Sequence, residues 1–177
     1  MQDVLMKPVR IVKRIIGVSD DLRENTKYKN GKMPMPKYTS IPESEYMYHF
    51  CLGMIYRKKN GHPADSVLLM KQKHPSWQEG KFNGIQGEVK INETPISAII
   101  RKTREETGII TTQNDWDFIE THVNDDSVIH SFACVLPDDR FIFKSKTDEL
   151  IIVADPHNLP ENLANEVHRL IGDSYPQ

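Results

Sequence analysis

The stretch GEVKINETPISAIIRKTREETGI, residues 87–109, decides how this chain folds. Its second half carries the marks of a helix with defined ends. Thr94 has a hydroxyl suited to accept a first-turn amide, and Pro95 has the fixed φ favoured at the first helical position. Gly108 is the residue type that most readily turns left-handed where a helix stops. Between these ends Ile96, Ile99, Ile100 and Thr103 recur at helical spacing, while Arg101, Lys102, Arg104, Glu105 and Glu106 supply charge. The pattern predicts an amphipathic helix from Pro95 until Gly108 stops it, entered through a polar loop.

Outward from this helix the period changes to that of strands. His49 to Arg57 and Ser66 to Lys71 read as two strands of a hairpin, turning at Lys59, Asn60, Gly61 and His62. Gln72 to Asn92 is rich in Gly, Asn and charge, which predicts a long loop with one short strand at Gly84 to Val89, and loops of that length are usually functional. Downstream, Trp116 to Val123, Val128 to Leu136 and Leu150 to Val153 read as strands, with His122 and His130 as ordinary sheet residues. Leu159 to Ile171 reads as a second amphipathic helix ending at Gly172. Pro8 to Val18 suggests an N-terminal strand, followed by a polar arm from Asp20 to Pro42. The expected class is α/β or α+β, a mixed sheet packed between helices. Residues 1–45 are expected to be an extension of strand and arm, and residues 46–177 the folded domain.

The chain has 177 residues, 38% hydrophobic and 27% charged, with 9 Gly and 11 Pro, a composition that excludes disordered, collagen-like and low-complexity classes. No apolar run approaches the roughly 18 residues of a membrane span. Lys7, Pro8, Arg10, Lys13 and Arg14 interrupt the first segment, so a soluble, cytoplasmic protein without signal peptide is expected. Cys51 and Cys134 each lie in an apolar stretch and are expected as small buried hydrophobes in a reducing compartment. The formal charge of -2 divides into +6 over residues 1–60, +1 over 61–110 and -9 over 111–177. A basic arm attracts polyphosphate or nucleic acid and an acidic lobe concentrates divalent cations, although a solvated surface satisfies the same counts. No zinc-type spacing or nucleic-acid motif strengthens that reading.

Gly87, Glu93, Arg101, Glu105, Glu106, Gly108 and Ile109 stand in register with the Nudix box over all 23 of its positions. On those residues the chain resembles the Nudix hydrolase family, of the MutT type. The resemblance implies a Nudix-type α/β/α sandwich with a mixed sheet between helices. It also implies a divalent-metal-dependent pyrophosphohydrolase acting on a nucleoside diphosphate linked to another moiety: a nucleoside triphosphate, an ADP-sugar, a dinucleotide or a capped RNA end. Glu105 and Glu106 are then the metal ligands and catalytic acids for Mg²⁺ or Mn²⁺, with Glu93 and Gly87 completing the metal set and Arg101 orienting the acids. The physics of the residues agrees. Adjacent acids on a helix point about 100° apart and repel, a divalent ion with hard oxygen ligands relieves that repulsion, and an ion bridging two phosphates offsets charge on the leaving phosphate. Glu93, just before the helix, serves equally well to complement the helix dipole.

The box departs from the family where it matters for chemistry. Lys102 stands where the Arg-Glu step has its Glu, Thr103 replaces an aliphatic residue, and Ile85, Gln86, Gly87 and Lys90 stand where many members have Pro-Gly-Gly and a following Glu. Lys90 and Lys102 then lower metal affinity but offer charge to substrate phosphates; alternatively another acid serves as general base, with Glu88, Glu120, Asp148 and Glu149 as candidates. Glu149 is preferred with its neighbour Asp148, because family members often place an acid before a late strand. Trp77, Phe82 and Asn83 before the box, Lys90 and Lys102 beside it, and Asn165 near the second helix are the candidate substrate contacts. The alternative to an enzyme is a catalytically weakened Nudix-fold nucleotide-binding or regulatory protein, with Lys102 as the mark of that loss. A small-molecule nucleotide is the expected partner, with capped RNA and a homodimer as further candidates and no membrane.

Overall fold

The computed structural model describes residues 48–59, 64–73, 76–124 and 127–174. The expected N-terminal strand and arm, and most of the hairpin turn after Lys59, lie outside the described residues. The elements in chain order are β1 (Tyr48–Lys58), β2 (Ala64–Lys71), a short 3₁₀ turn (Ser76–Gln78), β3 (Phe82–Asn83), β4 (Ile85–Glu88), α1 (Pro95–Thr107), a second 3₁₀ turn (Gln113–Asp115), β5 (Trp116–Val123), β6 (Ser127–Pro137), β7 (Leu150–Ala154) and α2 (Val167–Ser174). Among the described residues no helix is long and apolar enough to cross a membrane.

The strands form one mixed sheet. β1 runs parallel to β6 along its whole length, from Tyr48 opposite Ser127 to Lys58 opposite Pro137, and every other pairing is antiparallel. The same side of β1 is shared by two partners, β4 along Phe50 to Gly53 and β2 from Ile55 onward. β3 pairs with the end of β2, so the segment 82–88 is a wedge between β1 and β2 where they splay apart. Gly84 sits at the fork. A Cβ there would fall 2.5 Å from the backbone oxygen of Gly53, which leaves room for glycine alone.

Alternation along the strands produces two cores, one on each face. Cys51, Ile55, Leu68, Met70, Phe132, Cys134 and Leu136 face Ile96, Ala98 and Ile99 of α1, with Trp116 between. Leu52, Met54, Tyr56, Val67 and Leu69 face Leu163, Ala164, Val167, Leu170 and Ile171. The sheet therefore lies between α1 and α2, the sandwich expected from the sequence. Gly53 lets α1 come close: a Cβ at that position would fall 2.7 Å from Ile99 Cδ1 and 2.8 Å from Trp116 Cη2. Both cysteines are buried thiols, and burial pushes Cys51 up to about 12.

Two expectations are corrected. The second helix starts at Val167 rather than Leu159 and runs past Gly172 to Ser174. Residues 162–164 are instead held as an extended segment, with Phe82 N–H donating to the Asn162 carbonyl (2.6 Å) and Ala164 N–H donating to the Phe82 carbonyl (2.8 Å). Leu163 and Ala164 are buried as the apolar pattern implied, but in a strand-like segment rather than a helical one. The long loop also holds more structure than one strand, since β3 and a 3₁₀ turn precede β4.

Two polar groups inside this fold have measurable consequences. The Thr103 hydroxyl, on the buried face of α1, has no hydrogen-bond partner. A buried hydroxyl without a partner costs more than the methyl of equal size. Thr103→Val is expected to raise the unfolding free energy by about 1 kcal/mol, seen as a higher denaturant midpoint at unchanged slope. His130 is buried between Thr121 Oγ1 (3.2 Å) and His49, whose Nδ1 shares a 3.1 Å hydrogen bond with His130 Nε2. Burial, with the charge of His49 adding to it, lowers His130 to about 4, and burial lowers His49 as well. As pH falls below about 6.5 the unfolded chain takes up protons that the folded histidines refuse, so the fold loses stability down to about pH 4. Unfolding free energy is expected to drop from pH 7 to pH 5 with a slope that His130→Gln reduces, other groups cancelling in the comparison; an equal slope in the variant would remove His130 as the cause.

Candidate active site at the first helix

β4 delivers Gly87 to the foot of α1, and the chain turns through Asn92, whose φ of 60° is left-handed, to enter the helix. The Ser97 amide donates to Thr94 Oγ1 at 3.3 Å, giving the expected cap, and Pro95 occupies the first turn. Glu93 precedes the cap and is held from both sides. Arg101 Nε and Nη2 donate to its two oxygens, each at 2.8 Å, and the Lys90 amide donates at 3.0 Å. The Arg101 hydrogen bonds hold the Glu93 carboxyl below its usual range, and Glu93 in turn raises Arg101. Arg101 also donates to the Glu88 carbonyl (3.1 Å) and to Glu105 Oε2 (3.2 Å). One guanidinium thus fastens loop, helix and an acid of the box together.

The next pair is built differently. Glu105 is exposed, but Glu106 is buried, and Lys102 Nζ stands 2.5 Å from its Oε1. The lysine stem crosses Gly87 so closely that a Cβ there would fall 2.5 Å from both Cγ and Cδ of Lys102. Burial raises the Glu106 carboxyl; Lys102 opposes that shift, and the charges of Glu149 and Glu105 add to it.

Glu149 reaches this region through the chain after β6. The amides of Lys146 and Lys144 donate to the carbonyls of Glu106 (2.8 Å) and Thr107 (2.9 Å), which are carbonyls left over at the helix end. Ser145 Oγ donates to the Glu149 carbonyl at 3.1 Å, closing the loop. Asp148 pairs with Lys73 Nζ at 2.6 Å, and the Lys73 amide approaches Glu149 Oε1 at 3.4 Å.

Arg101, Lys102, Glu105, Glu106, Glu93 and Gly87 are therefore brought together, Glu149 is near enough for its charge to act on Glu106, and Lys90 is exposed on the adjoining loop. Other candidates lie elsewhere. Glu120 pairs with Arg169 of α2, on the far face of the sheet, and so is not a base for this site. Asn83 is buried in an amide cluster: its Nδ2 donates to Gln86 Oε1 (3.0 Å), its Oδ1 accepts the Gly84 amide (2.8 Å), and Gln86 Nε2 donates to Gln72 and Gln78 (2.7 and 2.8 Å). That role holds the loop rather than reading a base. Phe82 packs on the α2 core, Asn165 is exposed just before α2, and Trp77 lies in the turn Ser76–Gln78. Lys73 and the Lys144 to Lys146 segment were not singled out in the sequence, because only the pairing of β2 with β7 brings them here. The three glutamines within fifteen residues were a usable signal for the cluster.

The sequence profile described as the NUDIX domain matches residues 47–170. The chain belongs to the Nudix family. The family match and the MutT/nudix hydrolase folds support a pyrophosphatase-type hydrolase. Similar folds occur among solved structures. A MutT/nudix family protein from Enterococcus faecalis is 18% identical, covering 75% of this chain and 62% of its own length, with a TM-score of 0.57. The Nudix domain of NrtR from Shewanella oneidensis, crystallised with ADP ribose, is 14% identical over 73% of this chain and 87% of that one, with a TM-score of 0.59. An Ap4A hydrolase from C. elegans, in a binary complex, is 16% identical over 71% and 93%, with a TM-score of 0.54. At these identities the likeness concerns the fold. No curated protein matches the chain in sequence.

Nudix hydrolases generally use divalent metals, which need several oxygen donors free of other partners. Among the described residues no three of His, Cys, Asp and Glu are grouped to hold an ion. Glu93 and Glu105 are bound to Arg101, and Glu106 to Lys102. As arranged, the box does not fit the ion.

The clamp itself can be tested. A lysine at position 101 reaches one carboxylate and forfeits the fork. Arg101→Lys is expected to cost about 2 kcal/mol of stability. Glu93 contributes stability above its unfolded value near 4.5 that is lost as pH falls through its lower folded value. The acid limb of unfolding free energy against pH is therefore expected to flatten in the variant.

Proposed function

We propose that this Nudix domain is a pyrophosphohydrolase that cleaves the diphosphate of a nucleoside diphosphate linked to another moiety: a nucleoside triphosphate, an ADP-sugar, a dinucleotide or a capped RNA end. The observation that carries the reading is the pair Glu105 and Glu106 at the end of α1, held by Arg101 and Lys102 inside the stretch that matches the Nudix domain. The ADP ribose bound by the NrtR domain and the Ap4A hydrolase of similar fold support this substrate class with an ADP-sugar and a dinucleotide.

In this reading Arg101 is a positioning residue that orients Glu105 and ties Glu93 and the Glu88 carbonyl to the helix. Glu105, exposed, faces the substrate. Glu149 is the acid assigned to accept a proton from the attacking water, since it is half-buried, accepts the Lys73 amide and lies where its charge acts on Glu106. Lys90 and Lys102 supply positive charge to the phosphates. Mg²⁺ or Mn²⁺ belongs to this proposal as an ion carried in on the substrate's own phosphate oxygens.

A second reading, a nucleotide-binding or regulatory protein with faded catalysis, is favoured by the ammonium on Glu106. The experiment that separates them is release of phosphate or nucleoside monophosphate from a panel of the four substrate types, with Mg²⁺, with Mn²⁺ and with chelator. Turnover of at least one substrate, falling about a hundredfold or more in Glu105→Gln, is expected; nucleotide binding with no turnover on any substrate establishes the second reading instead.

A further inference from the structure

We propose that Lys102 is a tethered cation that takes the place of a divalent ion at Glu106, so that the box carries its own counter-charge and binds free divalent metal only weakly. Three observations converge on this. The ammonium is in direct contact with a carboxylate that is itself almost removed from water, with side-chain exposures of 23% for Lys102 and 10% for Glu106. The stem has a fixed track, because Gly87 leaves open the space that Cγ, Cδ and Cε of Lys102 fill. The neighbouring acids are otherwise engaged: Glu105 and Glu93 are bound to Arg101, Asp148 to the Lys73 ammonium and Glu149 to the Lys73 amide, and no trio of ligating side chains exists among the described residues.

A buried carboxylate needs a counter-charge, and a lysine one turn upstream on the same helix supplies it without a binding equilibrium. A divalent ion approaching Glu106 must then displace a group that cannot diffuse away. It meets the repulsion of a unit positive charge a few ångströms from its site. The inference rests on the hydrolase reading only for the location of the box, and it is tested with metal alone and no nucleotide, so the two stand or fall separately.

The experiment compares the full chain with Lys102→Met, which keeps most of the stem and removes the charge, and with Lys102→Glu. Mn²⁺ binding is measured by calorimetry and by the loss of the free-ion electron paramagnetic resonance signal, and thermal unfolding is recorded with and without Mn²⁺. Wild type is expected to bind Mn²⁺ weakly and to unfold at the same temperature with or without it. Lys102→Met is expected to unfold about 3 °C or more lower without metal, to bind Mn²⁺ about tenfold or more tighter, and to recover its melting temperature when Mn²⁺ is added. Lys102→Glu follows the same direction, so that failure of one variant to fold leaves the other to decide. The gain is expected to vanish in Lys102→Met combined with Glu106→Gln. Equal Mn²⁺ affinity in wild type and variants, or a gain that survives Glu106→Gln, overturns the proposal.

Discussion

The arrangement of the box depends on the guanidinium of Arg101. Two oxygens of Glu93, the carbonyl of Glu88 and one oxygen of Glu105 all meet it. Glu88 ends β4, Glu93 belongs to the loop that leaves it, and Glu105 belongs to the helix. Without a bidentate cation at this point, the polar part of the loop after Val89 would be left to the Lys90–Glu93 turn and the Thr94 cap, with Val89 itself bonded to the His49 carbonyl. Because the loop is fixed, Gly87 lies under the helix, and because Gly87 lies there, the stem of Lys102 has a surface to follow to Glu106.

Much of this was readable in the residues because it rests on local chemistry. The ends of α1 follow from Thr94, Pro95 and Gly108, and the strands follow from alternation that the two cores then use. The second helix was misplaced for a physical reason. Leu159, Leu163 and Ala164 are apolar at positions that suit helix or strand, and the choice was made by a long-range partner, the backbone of Phe82, which no local pattern displays. The same limit governs the site. The i, i+4 pairs Arg101 with Glu105 and Lys102 with Glu106 are visible in the spacing, whereas the fates of Glu120 and Asn83 depend on which face and which neighbours the topology gives them.

Two cations one residue apart on α1 do different work. Arg101 is a fork that joins three elements, and its carboxylate partners keep contact with solvent. Lys102 is a single point charge opposite a carboxylate withdrawn from water, where the loss of hydration is large and must be met by a close partner. Family membership defines the class of chemistry, while this second pair distinguishes the chain within the class, in keeping with the general separation of fold from the detail of a site.

The wedge of residues 82–88 also ties the two faces of the sheet into one mechanical unit. Its early part is stitched to the backbone at Asn162 and Ala164, its middle is pinned against Gly53, and its end carries Gly87. A shortened chain ending before Asn162 would keep every residue of the box and still lose the splint that braces Phe82, so the C-terminal segment belongs to the hydrolytic unit as much as the helix that bears its acids.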